Sequence, residues 1–223
     1  MEAEYHALMR NQTWTLVPSF SNFRIVDNKW VFKIKRNPDG SIQRHKARFV
    51  EKGFQQRPGI DFQETFSPVI KPSTVKVVLS VAVSRHWDVR QIDVNNAFLN
   101  GILTEEVFMK QPEGFVDPAQ LSAVCKLNRS LYGLRQAPRA WYDRLKSTLC
   151  TWGFQNSKMD SSLFTLHTSS GIIWLLVYVD DILITGNNTQ LLNKFVLQLN
   201  NTFALKDLGS VSYFLGVEAV RTS

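Results

Sequence analysis

Residues 175–186 read LLVYVDDILITG: an apolar and aromatic run leads up to the bare carboxylate pair Asp180 and Asp181, and a second apolar run leads away. β-Branched and aromatic residues bounded by polar ones favour strand, so the stretch reads as two short buried strands joined at an acidic tip. Relaxed two-residue hairpin turns favour Asn-Gly or Asp-Gly. Here Val179 and an Asp must take the turn, and backbone strain of that kind collects at functional sites. Adjacent carboxylates repel, and their ionised oxygens accept hydrogen bonds but donate none, so a bound cation belongs between them. Mg²⁺ suits, because it takes oxygen ligands and is held by one or two carboxylates together with substrate phosphates. An Asp pair at a loop tip is by default a solvated turn. The buried flanks argue against that here, and a third carboxylate on a neighbouring strand would argue further.

A candidate lies in WDVRQIDVNNAFLNG, residues 87–101. Val89 to Val94 read as a strand that ends near Asp93, with a turn or short helix over Asn95 to Asn100. Taken alone, Asp93 reads more readily as a helix N-cap. Upstream, Ser73 is the expected cap of a helix whose Val75, Val78, Leu79, Ala82 and Val83 form a buried face ending near Arg85 or His86. In SLYGLRQAPRAWYDRL, Gly133 breaks the chain and Pro138 opens a helix. Trp141, Leu145, Leu149 and Trp152 keep helical spacing up to Gly153, a fitting C′ residue. The preceding loop carries Arg135, Gln136 and Arg139, a good anion site at a helix N-terminus. Strands are expected over Val124–Leu127, Leu163–Leu166 and Val211–Val217, with a turn at Leu208-Gly209. A helix capped by Thr189 carries Leu192, Phe195, Val196 and Leu199. Residues 54–72 read as loop and residues 105–117 as a polar connection. Helices alternating with hairpin strands predict an α+β fold, an antiparallel sheet with helices on one face.

The formal charge of the 223 residues is +7, and one segment carries it: nine Lys or Arg stand against Asp39 and Glu51 between Lys29 and Arg57. Strands on either side of Asn37-Pro38-Asp39-Gly40 make a hairpin. Arg44, Lys46 and Arg48 alternate along its outgoing strand and share one face. So concentrated a charge is the footprint of a polyanion partner. Four His and the two Cys, Cys125 and Cys150, lack zinc or disulfide spacing, which fits a reducing intracellular compartment. The longest apolar run, Ile172 to Val179, falls far short of the ~20 residues that span a bilayer, so no membrane partner is expected. Three carboxylates from two strands, a basic hairpin and a Gln/Arg loop fit two-metal phosphoryl transfer.

The motifs NQTWTLVP, KWVFKIK, HKARFVEKGF, DFQETFSPVIK, DVNNAFLNG, SLYGLRQAPRAWY, YVDDILITG and DLGSVSYFLGVE follow in order over nearly the whole chain. In this the sequence resembles the reverse transcriptase region of Ty1/copia-type LTR retrotransposon Pol polyproteins. The resemblance implies a polymerase fingers-palm fold, with fingers over residues 1–86 and palm over 87–223. It implies an RNA-directed DNA polymerase that uses two Mg²⁺ ions, or Mn²⁺, to add dNTPs to a primer on an RNA or DNA template. Asp93, Asp180 and Asp181 match the catalytic aspartates, with the Val94 carbonyl completing a metal shell. Phe98 matches the steric gate against a ribose 2′-hydroxyl. Lys46 and Arg48 match the fingers cations on the incoming triphosphate, and Gln136 matches the residue that contacts nucleotide and template. Tyr213, Phe214, Leu215 and Gly216 fall in the primer-grip hairpin, and Lys206 is a weaker candidate for protonating pyrophosphate.

The family comparison also implies that thumb, connection and RNase H regions lie outside this chain, so weak duplex binding and poor processivity are expected. The alternative is a truncated, non-catalytic remnant that binds nucleic acid through the basic hairpin. An RNA-binding module of RRM type is disfavoured, because no RNP-like aromatic run is present. The implied setting is intracellular and cytoplasmic, in virus-like particles, with a nuclear phase. Oligomeric state is left open by the sequence.

Overall fold

The computed structural model describes residues 1–20 and 24–219. In chain order its elements are α1 (Glu2–Arg10), β1 (Trp14–Val17), β2 (Ile25–Val26), β3 (Asn28–Arg36), β4 (Ile42–Glu51), α2 (Pro72–Ser84), β5 (Asp88–Val94), β6 (Phe108–Met109), β7 (Val124–Leu127), α3 (Ala137–Thr151), β8 (Gln155–Asn156), β9 (Leu163–Thr168), β10 (Gly171–Tyr178), β11 (Asp181–Gly186), α4 (Thr189–Phe203), β12 (Leu205–Ser210), β13 (Tyr213–Phe214) and β14 (Val217–Glu218). Short 3₁₀ turns occupy Gly53–Gln55 and Ala97–Asn100. The chain is therefore a mixed α+β protein with several sheets and, among the described residues, four α-helices. It packs as two compact units, Met1–Phe66 with Phe98–Trp141, and Ser67–Ala97 with Tyr142–Ser223.

The second unit is built on a six-stranded sheet of order β12-β5-β11-β10-β9-β8, antiparallel throughout. Its central strands are buried on both faces. Leu176 and Leu183 pack with Val75 and Val78 of α2, with Ile70 and with Phe214, while the alternate residues Leu175, Val177, Ile182 and Ile184 are buried too. Strands covered on both faces carry continuous apolar runs, which is why IIWLLVY and ILIT show no alternation. The expectation of helices on one face is corrected accordingly: α2 joins the first cluster, and α4 packs on β10 and β11 without belonging to it.

Local signals hold to within a residue or two. Pro72 occupies the first turn of α2 and Lys71 its N-cap position, displacing the expected Ser73. Val83 is 72% exposed. It lies about 80° around the helix from Val75 at 3.6 residues per turn, too far to share the buried stripe. Asn188, not Thr189, caps α4, its side-chain oxygen accepting from the Leu191 N–H at 3.0 Å. α3 begins at Ala137, one residue before Pro138. Beyond its end, the N–H groups of Gly153 and Phe154 bond the Cys150 and Leu149 carbonyls, closing the helix as a Schellman motif. The expected turn at Leu208-Gly209 is a bulge in β12, where the pairing to β5 skips Leu208. The single strand expected over Val211–Val217 is a tight hairpin of β13 and β14.

The first unit holds a four-stranded sheet, β1-β7-β6-β2, whose β2–β6 pair is parallel, and the separate β3–β4 hairpin. β6 falls inside the supposed polar connection. It is two residues long and flanked by charge, yet Val107, Phe108 and Met109 are buried. Leu8, Trp14, Val26, Phe49, Met109, Cys125, Leu127 and Leu131 form this unit's core.

Glu51, at the end of β4, is 2% exposed with both side-chain oxygens lacking a partner. Burial pushes its carboxyl well above the usual range, and the nearby Cys125 thiol is pushed to about 12, first by burial and then by the Glu51 charge. A raised folded-state pKa means stability that is present in acid and lost as pH climbs from the unfolded carboxylate value towards the folded one. Urea unfolding should therefore show the chain weakening from pH 5 to pH 8, and Glu51→Met should flatten that dependence and add about 1–3 kcal/mol at pH 8. A stability independent of pH in the unsubstituted chain would contradict this.

Candidate active site

In the second unit, the β10–β11 hairpin closes with Tyr178 opposite Asp181, leaving Val179 and Asp180 as the two tip residues. Val179 takes φ +55°, a rare conformation for a β-branched residue. Glycine normally fills the first position of a two-residue turn with positive φ there. β11 then runs antiparallel to β5, which sets Asp181 directly opposite Asp93. Opposed residues share a face of the sheet with Cβ atoms about 4.5–5.5 Å apart. The Val94 N–H donates to the Asp180 carbonyl at 2.8 Å, fastening the end of β5 to the tip. Asp93 therefore sits inside a strand, and the helix N-cap reading is set aside.

The row continues on the other side of β5, where Lys206 of β12 lies opposite Asp93. Gln91, two residues before Asp93 and so on the same face, donates from Nε2 to Asp181 Oδ1 at 3.4 Å. Sequence reading overlooked Gln91, although its two-residue offset from Asp93 was a signal. The Asp181 carboxyl is raised above its ordinary value, first by burial and then by the charges of Asp180 and Asp93, against the lowering effect of the Gln91 bond. Among the described residues, no three His, Cys, Asp or Glu side chains form a ready-made metal cage. A hard-oxygen set of clustered, mutually repelling carboxylates still fits Mg²⁺, which relies on a few carboxylates plus substrate oxygens and not on an all-protein cage. On the β13–β14 hairpin, Phe214 is buried while Tyr213 is 60% and Leu215 38% exposed. Leu215 and Gly216 both take positive φ, +49° and +84°, as a two-residue type I′ turn requires. Buried Phe214 thus anchors a turn that displays its neighbours.

In the first unit, the β3–β4 register pairs Lys33 with Lys46, Lys35 with Arg44 and Val31 with Arg48. Lys29, opposite Val50 two residues before Val31, falls on the same side, so six cations share one face, three more than the outgoing strand alone predicted. The Lys46 ammonium is lowered by burial first, then by Arg48, Arg44 and Lys35, with Glu4 opposing. The Arg48 guanidinium lies 4.0 Å over the centre of the Tyr132 ring, and the Phe98 ring meets the same tyrosine at 4.8 Å. Gln136 is 2% exposed. Its Oε1 accepts from Gln56 Nε2 at 3.0 Å and its Nε2 donates to the Asp61 carbonyl at 3.1 Å, so it holds the 56–61 loop. Arg139 is paired with Glu64, and the Arg135 N–H donates to Gln56 Oε1 at 2.9 Å.

Comparison with known proteins places the chain in a family. The family profile described as reverse transcriptase (RNA-dependent DNA polymerase) matches residues 11–223. The chain is 53% identical over 222 residues to the retrovirus-related Pol polyprotein from transposon RE1 of Arabidopsis thaliana, covering 99% of this chain and 15% of that protein. It is 43% identical over 222 residues to the Pol polyprotein from transposon TNT 1-94 of Nicotiana tabacum, again over 99% of this chain and 17% of the relative. The chain belongs to the reverse transcriptase family of copia-type retrotransposon Pol polyproteins. It spans about 15% of the length of its relatives from Arabidopsis.

The repulsion around Asp181 is testable on the free chain. A folded pKa raised above the unfolded one costs stability as pH rises through the acid range. Asp181→Asn should therefore raise the urea midpoint at pH 7 in chelator and leave it nearly unchanged at pH 3. An unchanged or lowered midpoint at pH 7 would show that the three carboxylates do not strain one another.

Proposed function

We propose that the chain is the polymerase part of an RNA-directed DNA polymerase, adding dNTPs to the 3′-hydroxyl of a primer on an RNA or DNA template. The observation that carries this reading is the carboxylate row, with Asp93 opposed to Asp181 across β5 and β11 and Asp180 at the strained tip between strands. Two divalent ions, Mg²⁺ or Mn²⁺, held by Asp93, Asp180, Asp181 and the Val94 carbonyl would supply Lewis acidity toward the attacking hydroxyl and the leaving pyrophosphate. Positioning and charge complementarity are then what the side chains contribute.

In the fingers-like part, over residues 1–86, Lys46 and Arg48 take the triphosphate. Arg48 suits this because its planar fork pairs with phosphate oxygens in two places. Lys33, Lys35 and Arg44 extend the same positive face and favour a nucleic-acid backbone. Phe98 bars the 2′-hydroxyl of a ribonucleotide. In the palm, over residues 87–223, the exposed Tyr213 and Leu215 grip the primer end while Phe214 fixes their turn. Lys206, which lies opposite Asp93, would donate a proton to departing pyrophosphate. Gln136 works by holding the 56–61 loop, and any contact it makes with nucleotide requires it to release Gln56 or Asp61. Such an enzyme works inside cells, in cytoplasmic particles with a nuclear phase.

Primer extension on an RNA template with Mg²⁺ and dNTPs tests the proposal. Asp180→Asn should lower extension by at least about a hundredfold, a typical cost of losing a group that acts in the transition state, while salt-sensitive primer-template binding persists. Phe98→Val should admit ribonucleotides. Extension that survives Asp180→Asn, or a wild-type chain that binds primer-template and never extends it, would refute the catalytic assignment.

A further inference from the structure

Within the first unit, Tyr132 stands at the junction of two residues that serve different parts of a nucleotide. Arg48 covers one region of its ring at 4.0 Å. Phe98 meets it edge-on at 4.8 Å, with the two ring planes 60° apart. The backbone around Tyr132 is fastened to the same two elements. Its carbonyl accepts from the Glu51 N–H at 2.8 Å, at the end of the strand that carries Arg48. Two residues earlier, the Ser130 hydroxyl donates to the Phe98 carbonyl, and the Ser130 N–H donates to the Gly101 carbonyl at 3.0 Å. Gly133 follows with φ +96°, and a side-chain carbon there would collide with the Glu51 carbonyl. The Ser130–Gly133 turn is thus pressed against the end of β4 and against the 3₁₀ turn that bears Phe98.

We infer that Tyr132 is a positioning residue that holds the cation Arg48 and the gate Phe98 in a fixed relation, so that triphosphate binding and exclusion of the 2′-hydroxyl are set by one shared ring. The inference rests on the roles proposed above for Arg48 and Phe98. An unrestrained arginine has a wide choice of rotamers. Stacking one face of the guanidinium on an aromatic ring removes most of them and leaves its edge N–H groups for phosphate oxygens. A steric gate discriminates by where its ring stands, and a displacement of about an ångström is enough to matter at a reacting centre. An edge-to-face partner locks that ring. Tyr132 is only half-buried, while its neighbours Leu131 and Leu134 are 0% and 4% exposed and belong to the core. The core anchors of this turn therefore remain when the tyrosine ring is removed.

The test compares Tyr132→Leu, Tyr132→His and Tyr132→Phe with Arg48→Ala and Phe98→Val in the whole chain. Two readouts are needed: single-nucleotide extension with dNTP or rNTP, and equilibrium binding of inorganic tripolyphosphate. Tyr132→Leu should raise the dNTP KM about three- to tenfold, the size of a lost cation–π contact, with a smaller change in kcat. It should relax dNTP-over-rNTP selection in the direction of Phe98→Val and weaken tripolyphosphate binding in the direction of Arg48→Ala. Tyr132→His, with a smaller flat ring, should fall between, and supplies the same comparison if the leucine variant does not fold. Tyr132→Phe should stay within about twofold of the unsubstituted chain, since the stack uses the ring. Unchanged KM, selection and tripolyphosphate binding in the leucine and histidine variants would overturn the proposal, and so would equal damage from Tyr132→Phe. If Arg48→Ala and Phe98→Val are themselves silent, the polymerase roles of those two residues fail first, and the proposal falls with them.

Discussion

The register of β11 against its two neighbours governs where Asp93, Asp180 and Asp181 stand relative to one another. On one side the two-residue tip fixes Tyr178 opposite Asp181 and carries the pairing to Ile173 and Gly186. On the other, Asp181 opposes Asp93 and the pairing runs to Asp88 and Gly186. Sheet faces alternate with every residue, so a one-residue slip would turn Asp181 toward the face of Ile182 and Ile184. Both of those are completely buried, and a carboxylate among them would have no partner. The apolar packing thereby enforces the position of the carboxylates. It also offsets the strain at Val179, whose positive φ closes the hairpin without an added loop residue.

The same logic explains how far the fold could be read from the chain. Local signals carried well: Asn37-Pro38-Asp39-Gly40 turns the β3–β4 hairpin, and the apolar spacing of Val75, Val78 and Ala82 marks the buried face of α2. Non-local pairing did not announce itself. That β5 lies beside β11, and β12 beside β5, follows from burial of whole faces and has no local motif. Lys29, Lys33 and Lys35 join the basic face only once the hairpin register is known. β6 is too short for a periodic signal and is held by β7 and β2, remote in sequence. Cap positions missed by a residue or two, at Ser73 and Thr189, are where helix ends are least determined by sequence.

Each unit concentrates charge of one sign. Six cations share a face of the β3–β4 hairpin, and Asp93 and Asp181 oppose each other across the sheet with Asp180 next to them at the tip. Like charges at such spacing destabilise a free protein, and Lys46 is lowered and Asp181 raised first by burial and then by the like charges around them. On the function proposed above, a polyphosphate would complement the first group and divalent cations the second, so an arrangement unfavourable alone would become favourable with ligand. Such an arrangement would be electrostatics preorganised for the proposed reaction, with charges fixed before a substrate arrives.

The stretch Ser130–Gln136 joins several separate segments of the first unit. Its end, with Arg135 and Gln136 and with Arg139 just beyond, reads in sequence as an anion site at a helix start. In the structure most contacts of the stretch are spent on other segments: Ser130 on the Phe98 turn, Tyr132 on Arg48 and Phe98, Gly133 on the end of β4, and Gln136 on the 56–61 loop. Buried side-chain amides need partners for donor and acceptor alike, and Gln136 has both without any ligand. The segment therefore acts as a clamp on three separate pieces of chain. On the proposed function, the residues that meet a nucleotide could stay few and rigid because this clamp lies behind them.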